Sequence, residues 1–524
     1  MKRFLSMLLA ACLALGLCLT AVAEQDIIKA SAIVFTSIGF TPQNNSDCAQ
    51  YILEHFGLDL DIQPVDSGTE ESWNIFWASD GYADIILPYH LGAARAIVDN
   101  DLCRPISFDM LKEHAPRLIT LLLSVYGSEE EIIKNLSYRG EIWCFPYFAV
   151  TNGISWISSV RNDWLEKVGL SVPTTIDELT EVLRAFTEDD PDGNGVNDTY
   201  GANSLRYSLW NVPAAYGTTS VLSYWTTEDG TDIYTNADTE EYRNFLRKVH
   251  EWYAAGYIDP EFITDEGDRA AARSKFASGK FGLYCDNPWW FEDLRGEIGP
   301  LRMLCDTDPS VDYSTGFSFF GGLQNGDTPP TINSLYNNIT GQASVYFGYN
   351  CPDETVIRVI QMQNRRVILE DGSEEDKISR RVRAEMDMGV EGVDWEWDEN
   401  GKAKLIRPPL SAEEGIKRGT WSFPVASTID FDVFVGEPDE FVIDVYKMSM
   451  SLDRIYNGSN FSKPGLSAEA TDMQDMISTY YTECRNKFIN GDMSLDNDWD
   501  AYCQQLKDYG IDTVIAEYKA GLGL

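Results

Sequence analysis

Histidine is scarce in this chain: 524 residues include four, His55, His90, His114 and His250. None stands at a zinc-ligand spacing, and His250-Glu251 lacks the second histidine of a metalloprotease helix. No C-x-x-C pair occurs, which removes the usual zinc and redox motifs. A G-x-S-x-G elbow, a phosphate-binding loop and a dinucleotide fingerprint are absent as well. Basic residues are few, 41 against 83 acidic ones, for a formal net charge of −42. Such a chain repels phosphate backbones, so nucleic acid is not an expected partner. The charge also argues against a strongly anionic ligand, unless the cleft holding it is locally basic. Beyond the amino-terminal segment no stretch is apolar enough to span a membrane. No internal repeat or low-complexity tract is found.

What is present begins with an export signal. Lys2 and Arg3 precede an apolar run from Phe4 to Leu19, and Ala21-Val22-Ala23 stands before Glu24. That order reads as a secretory signal cleaved after Ala23, giving a secreted protein on the outer face of a cell membrane or in a periplasm. Leu9-Ala10-Ala11-Cys12 offers a competing lipoprotein box, but a lipid at Cys12 would leave the apolar Leu13 to Ala23 on the mature chain. The remaining chain is too long for one core, so two lobes are expected. Its cysteines are Cys48, Cys103, Cys144, Cys285, Cys305, Cys351, Cys484 and Cys503. An even count in an exported chain permits disulfides. They are scattered, so free buried thiols stay open beside bridges, and Cys484 with Cys503 across a helical hairpin is the pairing considered.

The start of the mature chain alternates strand and helix. Ile27 to Ile38 is β-branched, Asn45 to Phe56 reads as a helix capped by Asn45 or Ser46, and Leu58 to Val65 alternates as a second strand. Tyr82 to Pro88 is a short buried strand opened by Asp84. This predicts an α/β sheet covered on both faces, with ligands at the carboxyl ends of its strands. Thr36, Ser37 and the loop after Leu87 are then cleft candidates. Two helices are predicted in the middle: Ile176 to Phe186, capped by Thr175 with Glu178 three residues on, and about Thr239 to Ala255, stopped by Gly256. Gln324 to Thr331 reads as an exposed loop and Glu370 to Lys377 as a charged turn.

Asp190-Pro191-Asp192-Gly193-Asn194-Gly195-Val196-Asn197-Asp198 is the sharpest local signal. Oxygen side chains fall at loop positions 1, 3, 5 and 9, Gly195 at the sharp turn, and Val196 supplies a carbonyl, the order in which a calcium loop wraps its ion. Position 12 is Gly201, so Thr199 or water must complete the shell. The alternative is an Asx/Gly turn without metal.

Three segments together resemble the large extracellular solute-binding proteins of carbohydrate importers. They are Arg161-Asn162-Asp163-Trp164-Leu165 through Thr175 into the Asp190 loop; Gly256-Tyr257-Ile258-Asp259-Pro260-Glu261-Phe262 followed by Phe276-Ala277-Ser278-Gly279-Lys280; and Phe488-Ile489-Asn490-Gly491 with Trp499-Asp500-Ala501-Tyr502. Gly389 to Trp395 matches a further turn. The anchors cover most of the chain from residue 140 onward, and the family's usual lipobox at the end of the signal is missing.

The resemblance implies an α/β, two-lobed, periplasmic-binding-protein-like (type II) clamp with hinge crossings. Residues 24–150 with about 290–345 would form one lobe, and about 151–289 with 346–524 the other. It implies a monomer that captures a carbohydrate and delivers it to ABC permease subunits, with a structural calcium ion in the Asp190 loop and no catalysis. A sugar presents apolar faces and a rim of hydroxyls, so flat aromatics and planar polar groups are sought. Trp143 and Tyr147 flank Pro146 before one expected crossing, Trp225 lies with Thr226 and Thr227 in an expected loop, and Trp289-Trp290 follows Asn287-Pro288 at a second. Asp84 is the first polar choice, since the family places an acid there. Rival readings are a secreted glycosidase, which needs two carboxylates across a sugar, and a peptide- or lipid-binding protein on the same fold.

Overall fold

The computed structural model describes residues 26–36, 43–66, 82–87, 97–98, 100–148, 156–227, 229–265, 268–288, 291, 299–334, 339–369, 371–399, 401, 403–406, 414, 417–419, 440–456 and 466–524. The chain folds into two bodies, each with its own sheet and core. In the first body the strands Leu58–Asp66, Ile28–Thr36 and Ile85–Leu87 lie side by side in parallel. Ile339–Gly348 joins them antiparallel and also pairs with Cys103–Arg104 and Cys144–Phe148. Alternation along the strands feeds both faces. Ala30, Ala32, Val34, Leu60, Ile85 and Phe347 enter one core with Ile52 and Leu118, while Ile33, Ile86 and Tyr346 enter another with Val98 and Cys103. That double burial makes Ile85–Leu87 apolar throughout, whereas Leu58–Asp66 alternates with exposed Asp61 and Gln63.

Local chemistry sets the helix ends as expected. Ser46 accepts from the Ala49 N–H and Gly57, at φ 62°, closes the helix Asp47–Phe56. Thr175 and Glu178 form a reciprocal capping box on the helix Ile176–Glu188. Thr239 caps Glu240–Ala254. These belong to the second body, whose central sheet is antiparallel: Leu283–Asp286, Ile157–Arg161 and Phe317–Phe320. Helix Ile176–Glu188 buries Leu179, Val182, Leu183 and Phe186 against it. Gly282 makes the approach possible, because a Cβ there would come within 2.4 Å of the Phe186 ring and 2.7 Å of Trp164. The carboxyl-terminal helices Ala468–Asn490, Trp499–Asp508 and Ile511–Leu522 complete this core, with Tyr481 stacked on Tyr242 at 5.1 Å.

The division of the chain differs from the boundaries read in the sequence. Leu301, Leu304, Val311 and Phe317 pack with Trp156 and Phe276 in the second body. Strand Ile339–Gly348 and the helices Asp353–Asn364 and Glu374–Asp387 belong to the first, through Val356, Ile360 and Met386. The described residues of 26–148 and 339–419 therefore make one body, with Arg418 paired to Asp47 and Asp394, and those of 156–334 and 440–524 the other. Asn287-Pro288 looked like a crossing, yet the chain stays: Phe291 packs on Tyr284 and Phe319. Gln324 to Thr331 is a hairpin turn and not an open loop, since Leu323–Asn325 pairs with Thr328–Ser334 around Gly326 at φ 57°. The eight described cysteines are all free thiols, Cys484 and Cys503 included. Among the described residues no helix is long and apolar enough to cross a membrane.

Candidate functional site

The described residues of the first body end at Phe148 and resume at Ile339, while those of the second begin at Trp156 and reach Ser334. One end of the second sheet lies beside the first of these junctions, where Asp286 pairs with Ile157 and Phe320 with Ser158. Trp156 sits there, at the start of the strand, only 3% exposed. Its ring lies 5.7 Å from Tyr207, nearly parallel, and 4.9 Å from Trp210. The Arg206 guanidinium lies 5.2 Å from the Trp156 ring and 5.6 Å from Tyr207, and that of Arg269 lies 5.8 Å from Trp156.

Polar groups hold this stack in place. Asn211 donates to the Trp156 carbonyl at 2.7 Å and accepts from the Asn333 N–H at 3.1 Å, while Asn333 donates to the Trp210 carbonyl at 2.6 Å. Asp286 is fully buried and ion-paired with Arg269 at 3.1 Å. The Tyr284 hydroxyl at 3.0 Å and the Asn287 N–H at 2.9 Å also donate to it. Burial pushes the Asp286 carboxyl above the usual range, and the Arg269 and Arg273 charges pull it the other way. The Trp210 indole N–H is buried with no hydrogen-bond partner among the described residues. The three rings are buried, and what this place offers at the surface is the exposed Arg206 guanidinium braced on them, a planar donor for the polar rim of a sugar.

The residues named from sequence fall in different places. Asp84 stands at the amino end of its strand, the edge away from Thr36, because Ala32 pairs with Ile85 and Val34 with Leu87. Its carboxylate accepts from the Ser31 N–H (2.8 Å), the Ser31 hydroxyl (2.9 Å) and the Tyr82 hydroxyl (3.0 Å), so it ties two strand starts together. Trp143 packs beside Cys144 and Tyr346 and donates to the Tyr138 carbonyl at 2.7 Å. Trp225 is in a strand, Tyr224–Thr226, not a loop; it is 8% exposed and edge-on to Tyr234. The backbone of Tyr147 pairs with Thr340 beside a crossing. Thr36 ends the first strand at its carboxyl edge. Ser37, Trp289 and Trp290 lie outside the described residues.

The Asp190 loop has the turn its glycines promise. Asp190, Gly193 and Gly195 take φ of 48°, 77° and 80°. The Asn194 amide donates to Asp192 at 2.8 Å and to Asp198 at 3.0 Å, so a donor stands between two carboxylates where a cation would serve both. Asp190 Oδ2 accepts from the Gly195 N–H at 3.1 Å, while its Oδ1 is buried with no hydrogen-bond partner among the described residues. An orphaned buried acceptor at the first position of a cation loop fits a hard ion. Lys280 donates to Asp198 at 2.8 Å and, with Asn194, holds that carboxyl below the usual range. Thr199 is not among the available oxygens: it is buried and donates to the Phe186 carbonyl at 2.7 Å. No three His, Cys, Asp or Glu side chains among the described residues gather as a metal cluster.

Sequence reasoning missed Trp156, Arg206, Tyr207, Trp210 and Arg269. A tryptophan opening the first strand after an expected crossing was one available signal, and the pair Arg206-Tyr207 three residues before Trp210 was another.

Comparison with known proteins gives the following. The family described as bacterial extracellular solute-binding protein matches residues 49–323. Lipoprotein LipO of Bacillus subtilis is 33% identical over 172 residues, 30% of this chain and 32% of that one. The polygalacturonan/rhamnogalacturonan-binding protein YtcQ of the same organism is 33% identical over 131 residues, 24% of this chain and 25% of that one. The chain thus spans a third or less of the length of these curated relatives. Among solved structures, an EF-hand mutant of the ABC-transporter substrate-binding protein FusA of S. pneumoniae, in complex with fructo-nystose, superposes with a TM-score of 0.66. It is 17% identical, covering 94% of this chain and 98% of that chain. At that identity the match shows the shared fold.

Proposed function

The chain belongs to the bacterial extracellular solute-binding proteins, and from that premise we propose that it captures an oligosaccharide between its two bodies and delivers it to the membrane subunits of an ATP-driven importer. The observation that carries this reading is the Trp156, Tyr207 and Trp210 stack flanked by Arg206 and Arg269, placed where the chain passes between the bodies. The polysaccharide named for YtcQ and the oligosaccharide bound to FusA support the ligand class.

The mechanism is a shift between open and closed clamps. A ligand touching both bodies favours closure by its differential affinity for the closed form. Taking a clamp from one part in a hundred closed to nearly all closed requires about 5.5 kcal/mol of that difference. One aromatic face contributes roughly 1–3 kcal/mol, so the stack must act with contacts from the first body. Thr36 ends its strand at the carboxyl edge of that body's sheet, and Thr36 with Ser37, and Trp289-Trp290, which follows Asp286 in sequence, are assigned to the ligand. The site is assigned no catalytic step.

Export through the amino-terminal signal, with cleavage after Ala23, and action as a monomer complete the reading. Asp190, Asp192, Asn194, Asp198 and the Val196 carbonyl would hold a calcium ion, which supplies charge neutralisation to the loop and takes no part in ligand chemistry. The test is a thermal-shift screen of oligosaccharides combined with small-angle scattering. A glycan should raise the melting temperature saturably and shrink the radius of gyration. Peptides raising it instead, or hydrolysis of the glycan during the assay, would remove the assignment.

A further inference from the structure

We infer that the captured oligosaccharide carries carboxylates, a uronate-bearing glycan in preference to a neutral one; this rests on the capture role proposed above. The premise is a local reversal of charge. Acidic residues outnumber basic ones 83 to 41 in the chain, yet Arg206 and Arg269 lie 5.2 Å and 5.8 Å from the Trp156 ring, and Arg273 acts with Arg269 on the one carboxylate there, Asp286. Asp286 is fully buried and Arg269 pairs with it. With Arg269 neutralised by Asp286, Arg206 is the local positive group through which an acidic chain can take an anionic ligand.

Arg206 is the group that decides. It is exposed, its guanidinium is laid over Trp156 and Tyr207, and it pairs with no carboxylate among the described residues. Arginines elsewhere in this acidic chain find acids readily: exposed Arg365 holds Glu375, half-buried Arg184 holds Glu181, Glu188 and Asp189, and half-buried Arg247 holds Asp496. A guanidinium 5.2 Å from one ring centroid and 5.6 Å from another, on an exposed side chain, is free to offer its planar fork to a carboxylate through two hydrogen bonds. A second donor in the stack, the Trp210 indole N–H, is buried without a partner among the described residues.

The test is calorimetric titration of the full mature chain with three probes: oligogalacturonate, the same oligomer fully methyl-esterified, and a neutral fructo-oligosaccharide. The ester keeps the rings and the length and removes the charge. The acid should bind at least about tenfold more tightly than the ester, the scale of one charge-assisted bidentate pair. The preference should weaken as salt is raised. Arg206→Gln should erase most of that preference while lowering the affinity for the ester little. Equal or tighter binding of the ester or the fructan overturns the inference and leaves carbohydrate capture standing. So does an Arg206→Gln variant that loses acid and ester alike, which would make Arg206 a stacking group only. Binding of none of the three, in protein whose melting is cooperative, overturns carbohydrate capture itself and this inference with it.

Discussion

Asp190→Asn isolates the metal question in one atom. Asp190 Oδ1 is buried and unpaired among the described residues, and its Oδ2 accepts from the Gly195 N–H at 3.1 Å. Leaving a buried acceptor unpaired costs about 1–3 kcal/mol, a cost that a bound cation removes. At a calcium concentration ~100-fold above its dissociation constant, binding to the native state alone adds about 2.7 kcal/mol. A folded body the size of the second one shifts by roughly 2–4 °C per kcal/mol. Calcium added to chelator-treated protein should therefore raise the melting temperature by about 5–10 °C. The asparagine keeps an oxygen for Gly195 and so keeps the turn, but loses the charge that a hard ion needs at the first position. The metal-free variant should melt close to the metal-free parent and lose most of the calcium shift in differential scanning fluorimetry. A full shift in the variant, or none in the parent, would mean that the loop is an Asx/Gly turn closed by its own hydrogen bonds.

Gly282→Ala drives a methyl group into the Phe186 and Trp164 rings; overpacking of this kind costs about 1–3 kcal/mol, so the melting temperature should fall, and an unchanged value would show that the helix can move off the sheet. Ser31→Ala removes a hydroxyl that both donates to and accepts from Asp84; it should lower stability by about 1–3 kcal/mol and leave glycan affinity unchanged, whereas lost affinity at unchanged stability would return Asp84 to the ligand. Glu178 is held below the usual glutamate range, chiefly by the Thr174 hydroxyl and also by the backbone N–H groups of Thr174 and Thr175. A depressed folded value means that this contribution is present at neutral pH and fades as pH falls through the ordinary glutamate range and then the folded value. The melting difference between the parent and Glu178→Gln should accordingly narrow on acidification; a constant gap would contradict the assignment.

Local signals in the sequence reached the structure nearly intact, because they depend on neighbours three or four residues away. Thr175 with Glu178, and Thr239 ahead of two glutamates, could hardly cap anything else, and Gly57 and Gly256 stop their helices with positive φ. Partnership between distant segments was not legible in the same way. The apolar run Ile339–Gly348 says strand but not which sheet, and the register of Tyr346 with Ile86 decides that. The Asn325-Gly326 pair was a hairpin signal, masked by the prolines that follow it. Asp84 opens its strand as read, but alternation shows which residues form a strand and not which end of it faces the ligand. The aromatic site was missed for a related reason: Trp156, Tyr207 and Tyr284 are brought together by pairing between elements more than fifty residues apart.

That dependence on distant pairing makes Asn211 the most informative positioning residue. It is buried, its amide binds the Trp156 carbonyl, and its oxygen takes the Asn333 N–H. Trp156 directly follows the first passage between the bodies and Asn333 directly precedes the second, so one side chain ties both passages to the aromatic stack. Asn211→Ala leaves a buried acceptor and a buried donor unpaired, at about 1–3 kcal/mol each. Stability should drop, and the larger effect should be on the ligand, because a stack free to tilt must be ordered again at each binding event. The expected signature in stopped-flow binding is faster glycan dissociation with an unchanged association rate. Calorimetry should show a less favourable binding entropy. Asn211→Asp keeps the acceptor for Asn333 but cannot donate to Trp156; it should reproduce the dissociation effect with a smaller stability loss. If both variants melt early yet release glycan at the parental rate, the stack is held by its own ring contacts and the two passages are mechanically independent of it.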